Sequence, residues 1–328
     1  MRASAADSPP GPAGAEKQLP LRARGAMHSG MKTNTLLLSI CVLVLPFSAS
    51  AQDAKKYQIK LERPDKAGDK SHEEITATLE KSNRITQRGK VVKEEASDTK
   101  VSLTGTLEVL EVSDKGKIKK LTFKVEKFTR QEEAGTEDEP LKAGTVITGT
   151  AVEGRDKDKF EVEGKEVEDG TAEVLRRLLP MSGADKKQTD DDVMFGSKDP
   201  QAPGSEWKVD PKVFLDSMPD DMPFKLEEEH VSGKVKFAAV KTADGIESCQ
   251  VQMAVEMKPS SLDGLPPGFK ADKMLFKVTG EKLAPVDPSL IIPYEKMDQK
   301  TDVSGATGPL KLEIYQRTVR ERTSKAVK

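Results

Sequence analysis

Beyond residue 51 this 328-residue chain holds two histidines, His72 and His230, and a single cysteine, Cys249. That thins the catalytic options at once. A Ser-His-Asp or Cys-His site would need one of those histidines, but no Gly-X-Ser-X-Gly elbow occurs and neither histidine has recognisable motif neighbours. Glu227-Glu228-Glu229-His230 departs from His-Glu-X-X-His, which removes zincin chemistry. Two histidines and one cysteine offer no spacing for a four-ligand zinc site. The acidic runs Asp190-Asp191-Asp192 and Glu137-Asp138-Glu139 lack the alternate-residue spacing and turn glycine of a calcium loop, and read as solvated loops. A carboxylate pair for glycoside hydrolysis cannot be picked out among so many acids. No catalytic, cofactor-binding or metal-binding residue is assigned, no cofactor is expected, and the chain is expected not to be an enzyme.

Two residues stand out for other reasons. Cys249 shares a parity with Val251, Met253 and Val255, so it is expected to face the core, where a free thiol behaves as a small hydrophobe. Trp207, the single tryptophan, follows Gly204 and suits either the lid of a core or the wall of a ligand groove.

The elements that must position these residues begin with an address. Residues 31–51 read as a secretory signal peptide: Lys32 supplies the positive end, residues 36–45 the short apolar core, and Ala49-Ser50-Ala51 the cleavage site before Gln52. The apolar run is too short for a membrane span, which takes about 20 residues, so no stable span is expected after cleavage. Residues 1–30 read as a spurious or disordered extension, with Met27 or Met31 as the natural start. Ile40 before Cys41 argues against a lipid anchor. Removing Cys41 leaves one thiol, so no internal disulfide can form and the core alone must hold the fold. This favours a periplasmic or secreted bacterial protein. The remaining 48 basic and 53 acidic residues make a mildly acidic, mixed surface, which argues against nucleic acid as a partner.

Period-two alternation dominates the rest and predicts half-buried strands. Tyr57, Ile59 and Leu61 alternate with polar neighbours, as do Ile75, Ala77 and Leu79. Residues 101–109 and 121–125 predict a long antiparallel hairpin across Asp114-Lys115-Gly116, and residues 146–152 and 160–162 a second pair. Ala172, Val174, Leu175, Leu178 and Leu179 recur at helical spacing, with Asp169 and Thr171 as N-terminal caps and Pro180 as the stop, predicting a short amphipathic helix over 170–179. Residues 181–193 read as a polar linker. The final strands are expected at 273–278 and 310–319, with Pro285, Pro288, Pro293, Gly305 and Gly308 marking an irregular crossover between them.

The second half echoes the first. Pro64 and Gly68 recur as Pro200 and Gly204, an offset of 136, and Gly105, Leu107 and Val109 as Gly233, Val235 and Phe237, an offset of 128. The expected organisation is a first β half (52–168), a helix and acidic linker (169–194) and a second β half (195–328). The fold class is mainly β: curved antiparallel sheet from two similar halves, as one sheet or two, with a short amphipathic helix between them. The export signal, the Pro-X-X-X-Gly phrase, Gly-Ser-Glu-Trp at 204–207 and the paired hairpins together resemble a group of bacterial secreted β-rich proteins, a likeness that implies no site residues. At the level of fold alone the plan is similar to periplasmic lipid carriers, which wrap a curved sheet around an apolar groove.

The expected function is that of a non-catalytic exported envelope protein whose concave sheet face binds a hydrophobic ligand, such as a lipid, or another envelope protein. One-sided strands need cover, and one short helix supplies little. The alternatives are a scaffolding module that pairs through sheet edges and a hydrolase with an unrecognised carboxylate pair.

Overall fold

The computed structural model describes residues 55–327 apart from 133, 134, 136, 154–156, 182–189 and 219–223. The expected extension 1–30, the signal peptide with Ala49, Ala51 and Gln52, and the middle of the expected linker lie outside the described residues.

The first half contributes β1 (Lys70–Gln87), β2 (Lys90–Val112), β3 (Ile118–Glu132), β4 (Glu137–Asp138), β5 (Val146–Thr150), β6 (Lys159–Val162) and β7 (Lys165–Glu166). Helices α1 (Asp169–Leu178) and α2 (Asp191–Phe195) follow. The second half contributes β8 (Glu206–Lys208), α3 (Pro211–Asp216), β9 (Phe224–Lys225), a 3₁₀ turn (Glu228–His230), β10 (Val231–Ala243), β11 (Ile246–Met257), β12 (Ser261–Leu262), β13 (Lys270–Pro285), β14 (Tyr294–Thr307) and β15 (Leu310–Ala326).

Thirteen strands make one antiparallel sheet in the order β7-β6-β5-β3-β2-β1-β15-β14-β13-β11-β10-β8, with β4 beside β3; β9 and β12 pair separately. The chain starts in the middle of the sheet and runs outward to β7. It then crosses to the opposite edge at β8 and returns to lay β15 against β1. The two halves therefore share one sheet, joined by a register running from Ser71 opposite Ala326 to Gln87 opposite Leu310. The sheet is open: its ends are a two-residue and a three-residue strand rather than a closing pair. Three hairpins turn on Arg88-Gly89, Glu163-Gly164 and Asp244-Gly245, each with both residues at positive φ, the backbone that matches the twist of antiparallel strands.

Each half has its own core on the same sheet face. In the first, Leu103, Leu121, Phe123, Ile147 and Phe160 pack beneath Leu175 and Leu178 of α1. The predicted helix is present within a residue; its N-cap is Glu168, without a side-chain capping bond. In the second, Val235, Phe237, Val251 and Val255 are covered by Ile59 and Leu61, Phe195 of α2 and Phe214 of α3. The apolar faces thus have more cover than one helix. Alternation at Tyr57, Ile59 and Leu61 predicted a strand; the segment is extended, but only Tyr57 makes a bridge, to Gln201. Its alternation records burial of every second side chain beneath a sheet, not membership of one.

The predicted crossover between 285 and 310 is corrected too. Residues 294–307 form β14, paired on both sides. Its sequence hides it, because both of its faces carry polar residues.

The echo between the halves has matching geometry. Gly68 N–H donates to Val109 O (2.8 Å) and Val109 N–H to Asp69 O (2.9 Å); Gly204 N–H donates to Phe237 O (2.6 Å) and Phe237 N–H to Ser205 O (2.9 Å). Both glycines have φ near +90°. Ser71 then pairs with Leu107 as Trp207 pairs with Val235.

Beyond the ends of β3 and β11, the outer parts of β2, β1, β15, β14 and β13 continue as a five-strand wing. On one face Arg317 binds Asp298 through two hydrogen bonds (3.0 and 2.8 Å) and lies 3.7 Å from Glu80, while Lys300 sits over the Tyr315 ring.

Candidate functional site

At the sheet centre, where the two cores meet, the same face changes from apolar to charged. Across the strands Lys282, Glu295 and Arg322 stand side by side, with Ile75 next in the row. Glu73, fully buried on β1, accepts two hydrogen bonds from the Arg322 guanidinium (2.7 and 3.0 Å) and one each from the Ser324 (2.7 Å) and Ser71 hydroxyls. Burial alone would raise the Glu73 pKa, but Arg322 and the two hydroxyls outweigh it and hold the carboxyl below its ordinary value. Glu295 shows the same balance: burial opposes ionisation, and Lys282, Arg320 and Arg322 override it.

Lys282 is 5% exposed. Its ammonium donates to Leu61 O (3.1 Å) and to Asp191 (2.6 Å). Burial lowers its pKa, but Asp191 and Glu295 leave it above the ordinary lysine value. Over this floor lies segment 61–69, which ends in a turn at Ala67-Gly68. Arg63 binds Asp69 (2.7 Å) and Ser289 O (2.9 Å), and lies 3.7 Å from Asp65. Asp65 is pushed up to about 6, mainly by burial and further by Asp69 and Glu73, against the pull of Arg322 and Arg63.

The acidic run expected as a solvated loop is instead a clamp. Asp190 lies 3.2 Å from Lys117, Asp191 takes Lys282, and Asp192 accepts the Leu61 N–H (2.6 Å). Glu62 also pairs with Lys117 and accepts the Asp191 N–H (3.0 Å). These contacts fasten the end of the expected linker to the first half and to β13.

The groups surround a cavity of about 400 Å³. Its lining combines apolar side chains, among them Leu107, Val109, Ile118, Leu179 and Met181, with the charges of Lys282, Glu295, Arg320 and Arg322. Concavity, mixed lining and a displaced carboxyl pKa together mark a candidate binding site.

The residues singled out by sequence lie elsewhere. Cys249 is buried in the second core, its thiol raised to about 11 by burial and by Glu247. Trp207 is half-buried at the edge strand β8, with its indole N–H donating to Phe195 O (2.9 Å). Neither lines the cavity. Sequence reasoning missed Glu73, Lys282 and Arg322; the only signal was a charge at a position whose parity placed it on the buried face.

Fold and site define a mainly β protein with an open antiparallel sheet and a charged cavity at its centre. No family model matches the chain, and no curated protein matches it. Among solved structures, an outer membrane channel from Pseudomonas putida F1 aligns over 83% of this chain and 99% of its own, at 7% identity and a TM-score of 0.19. A TM-score that low does not show a shared fold. Among the described residues no helix is long and apolar enough to cross a membrane.

Proposed function

We propose that this is a non-catalytic exported envelope protein that binds a ligand with an apolar body and a charged head in the cavity over the central strands. The carrying observation is the mixed lining of one cavity: Leu107, Val109 and Ile118 of the first core border the same space as the row of Lys282, Glu295, Arg320 and Arg322. A purely hydrophobic ligand fits less well, because the apolar sheet faces are already covered by α1 and by segment 57–61 with α2 and α3. Export rests on the signal at 31–51. The matched turns at Gly68 and Gly204 support a duplication of the two halves.

The test is native mass spectrometry of residues 52–328, exported in a bacterial envelope and purified without detergent. A discrete added mass that extracts into organic solvent, and that falls in a Met181→Trp variant narrowing the cavity, supports the reading. A bare polypeptide mass counts against it.

A second reading has its own observation. Among the described residues, 90–98 of β2 pair only with β1, leaving one backbone edge open, and Val91 and Val92 are 44% and 55% exposed there. An open edge can accept a strand from a partner, as a scaffolding module would require. Sedimentation over a wide concentration range tests it, and a strict monomer counts against it.

A further inference from the structure

Away from the cavity, the 3₁₀ turn gathers three ligand-type side chains that the sequence spacing alone did not relate. The His230 N–H donates to Glu227 O (2.9 Å), closing a turn in which positions three apart lie one above the other. One ligand atom each from Glu227, Glu229 and His230 then lies within 4.8 Å of the others. Among the described residues neither carboxylate has a hydrogen-bond or ion-pair partner, which leaves both free to act as ligands. A separate observation concerns the imidazole: His230 Nδ1 is shut off from solvent and has no hydrogen-bond partner. A buried nitrogen left without a partner costs free energy that a bound group would recover.

We propose that Glu227, Glu229 and His230 form a binding site for one divalent transition ion of the Zn²⁺ type, with its remaining positions open to water. Two carboxylates and an imidazole suit such an ion better than Ca²⁺, which takes six or more oxygen ligands. Tetrahedral ligands about 2.1 Å from zinc lie roughly 3.4 Å apart. The ligand atoms lie within 4.8 Å of one another, and the exposed Glu227 and Glu229 side chains are the ones that would have to move closer. The backbone supports the site on both sides: His230 O accepts the Lys258 N–H (2.9 Å), and the next residue, Val231, opens β10 opposite Met257.

The experiment titrates Zn²⁺ and, separately, Ca²⁺ into residues 52–328 made without a polyhistidine tag, by calorimetry and by following the histidine ring resonances. The expected result is one Zn²⁺ per chain, a shift of the His230 ring signals, and much weaker Ca²⁺ binding. His230→Gln and Glu229→Gln should each weaken Zn²⁺ binding by roughly tenfold or more. His72→Gln should leave it unchanged; His72 pairs with Glu126 (3.1 Å) and is the other surface where zinc could settle. No stoichiometric binding, binding that survives His230→Gln, or a signal that moves with His72 would each overturn the proposal.

Discussion

Glu73 and Arg322, 249 positions apart in the chain, meet as a two-pronged ion pair across β1 and β15, the two strands that join the halves of the sheet. A buried pair of this kind adds little net stability over well-packed apolar residues, because two charges had to leave water. Breaking it is another matter. Glu73→Ala leaves the Arg322 guanidinium, whose side chain is 19% exposed, without its hydrogen-bonded carboxylate and should cost about 3 kcal/mol in urea unfolding. The double variant Glu73→Leu/Arg322→Met should recover most of that loss; a double variant as unstable as the single one would show that the pair contributes more than mutual neutralisation.

The wing offers the contrasting case. Arg317 also binds a carboxylate with two hydrogen bonds, at Asp298, but its side chain is 38% exposed. Water already solvates both partners there, so Arg317→Ala should cost only roughly 0–1 kcal/mol. The same unfolding measurement should therefore separate Arg322 from Arg317 clearly, although their bonding geometries are alike.

Asp65 makes stability depend on pH in an unusual direction. Its pKa in the folded protein, about 6, lies above the unfolded value, so the folded state binds the extra proton and this group's contribution falls as pH rises through 6. Glu73 and Glu295 work the other way: their lowered values supply stability above the ordinary glutamate range that is lost as pH falls below it. Asp65→Asn removes only the first effect. Relative to the parent protein it should be favoured more at pH 7.5 than at pH 5, as read from urea midpoints at the two values.

Cys249 is 1% exposed, and its thiol is raised to about 11. Protein comprising residues 52–328 should not react in its native state with a thiol-specific disulfide reagent at pH 8, and one thiol per chain should appear on unfolding. Rapid labelling of the native protein would place Cys249 in a region that opens readily.

The residues explain which features could be read from sequence and which could not. The hairpins β2–β3 and β10–β11 and helix α1 were legible because each buries one face, and burial of one face imposes a period of two on a strand and about 3.6 on a helix. Segment 57–61 carried the same period without belonging to a sheet, since alternation reports which side chains are covered and not where the backbone finds its hydrogen bonds. β14 carried no period, because polar residues occupy both its faces.

The candidate cavity was the least legible feature. Glu73, Lys282, Glu295 and Arg322 look like surface charges in a chain where a third of the residues are charged. The sequence by itself determined the one-sided hairpin strands, their turns and the short helix, whose patterns depend on neighbours within a few positions. Only the tertiary structure decided that β15 lies beside β1, that Asp191 reaches Lys282, and that charges from four distant segments share one buried space. Those pairings join residues up to about 250 positions apart, and no local periodicity encodes them.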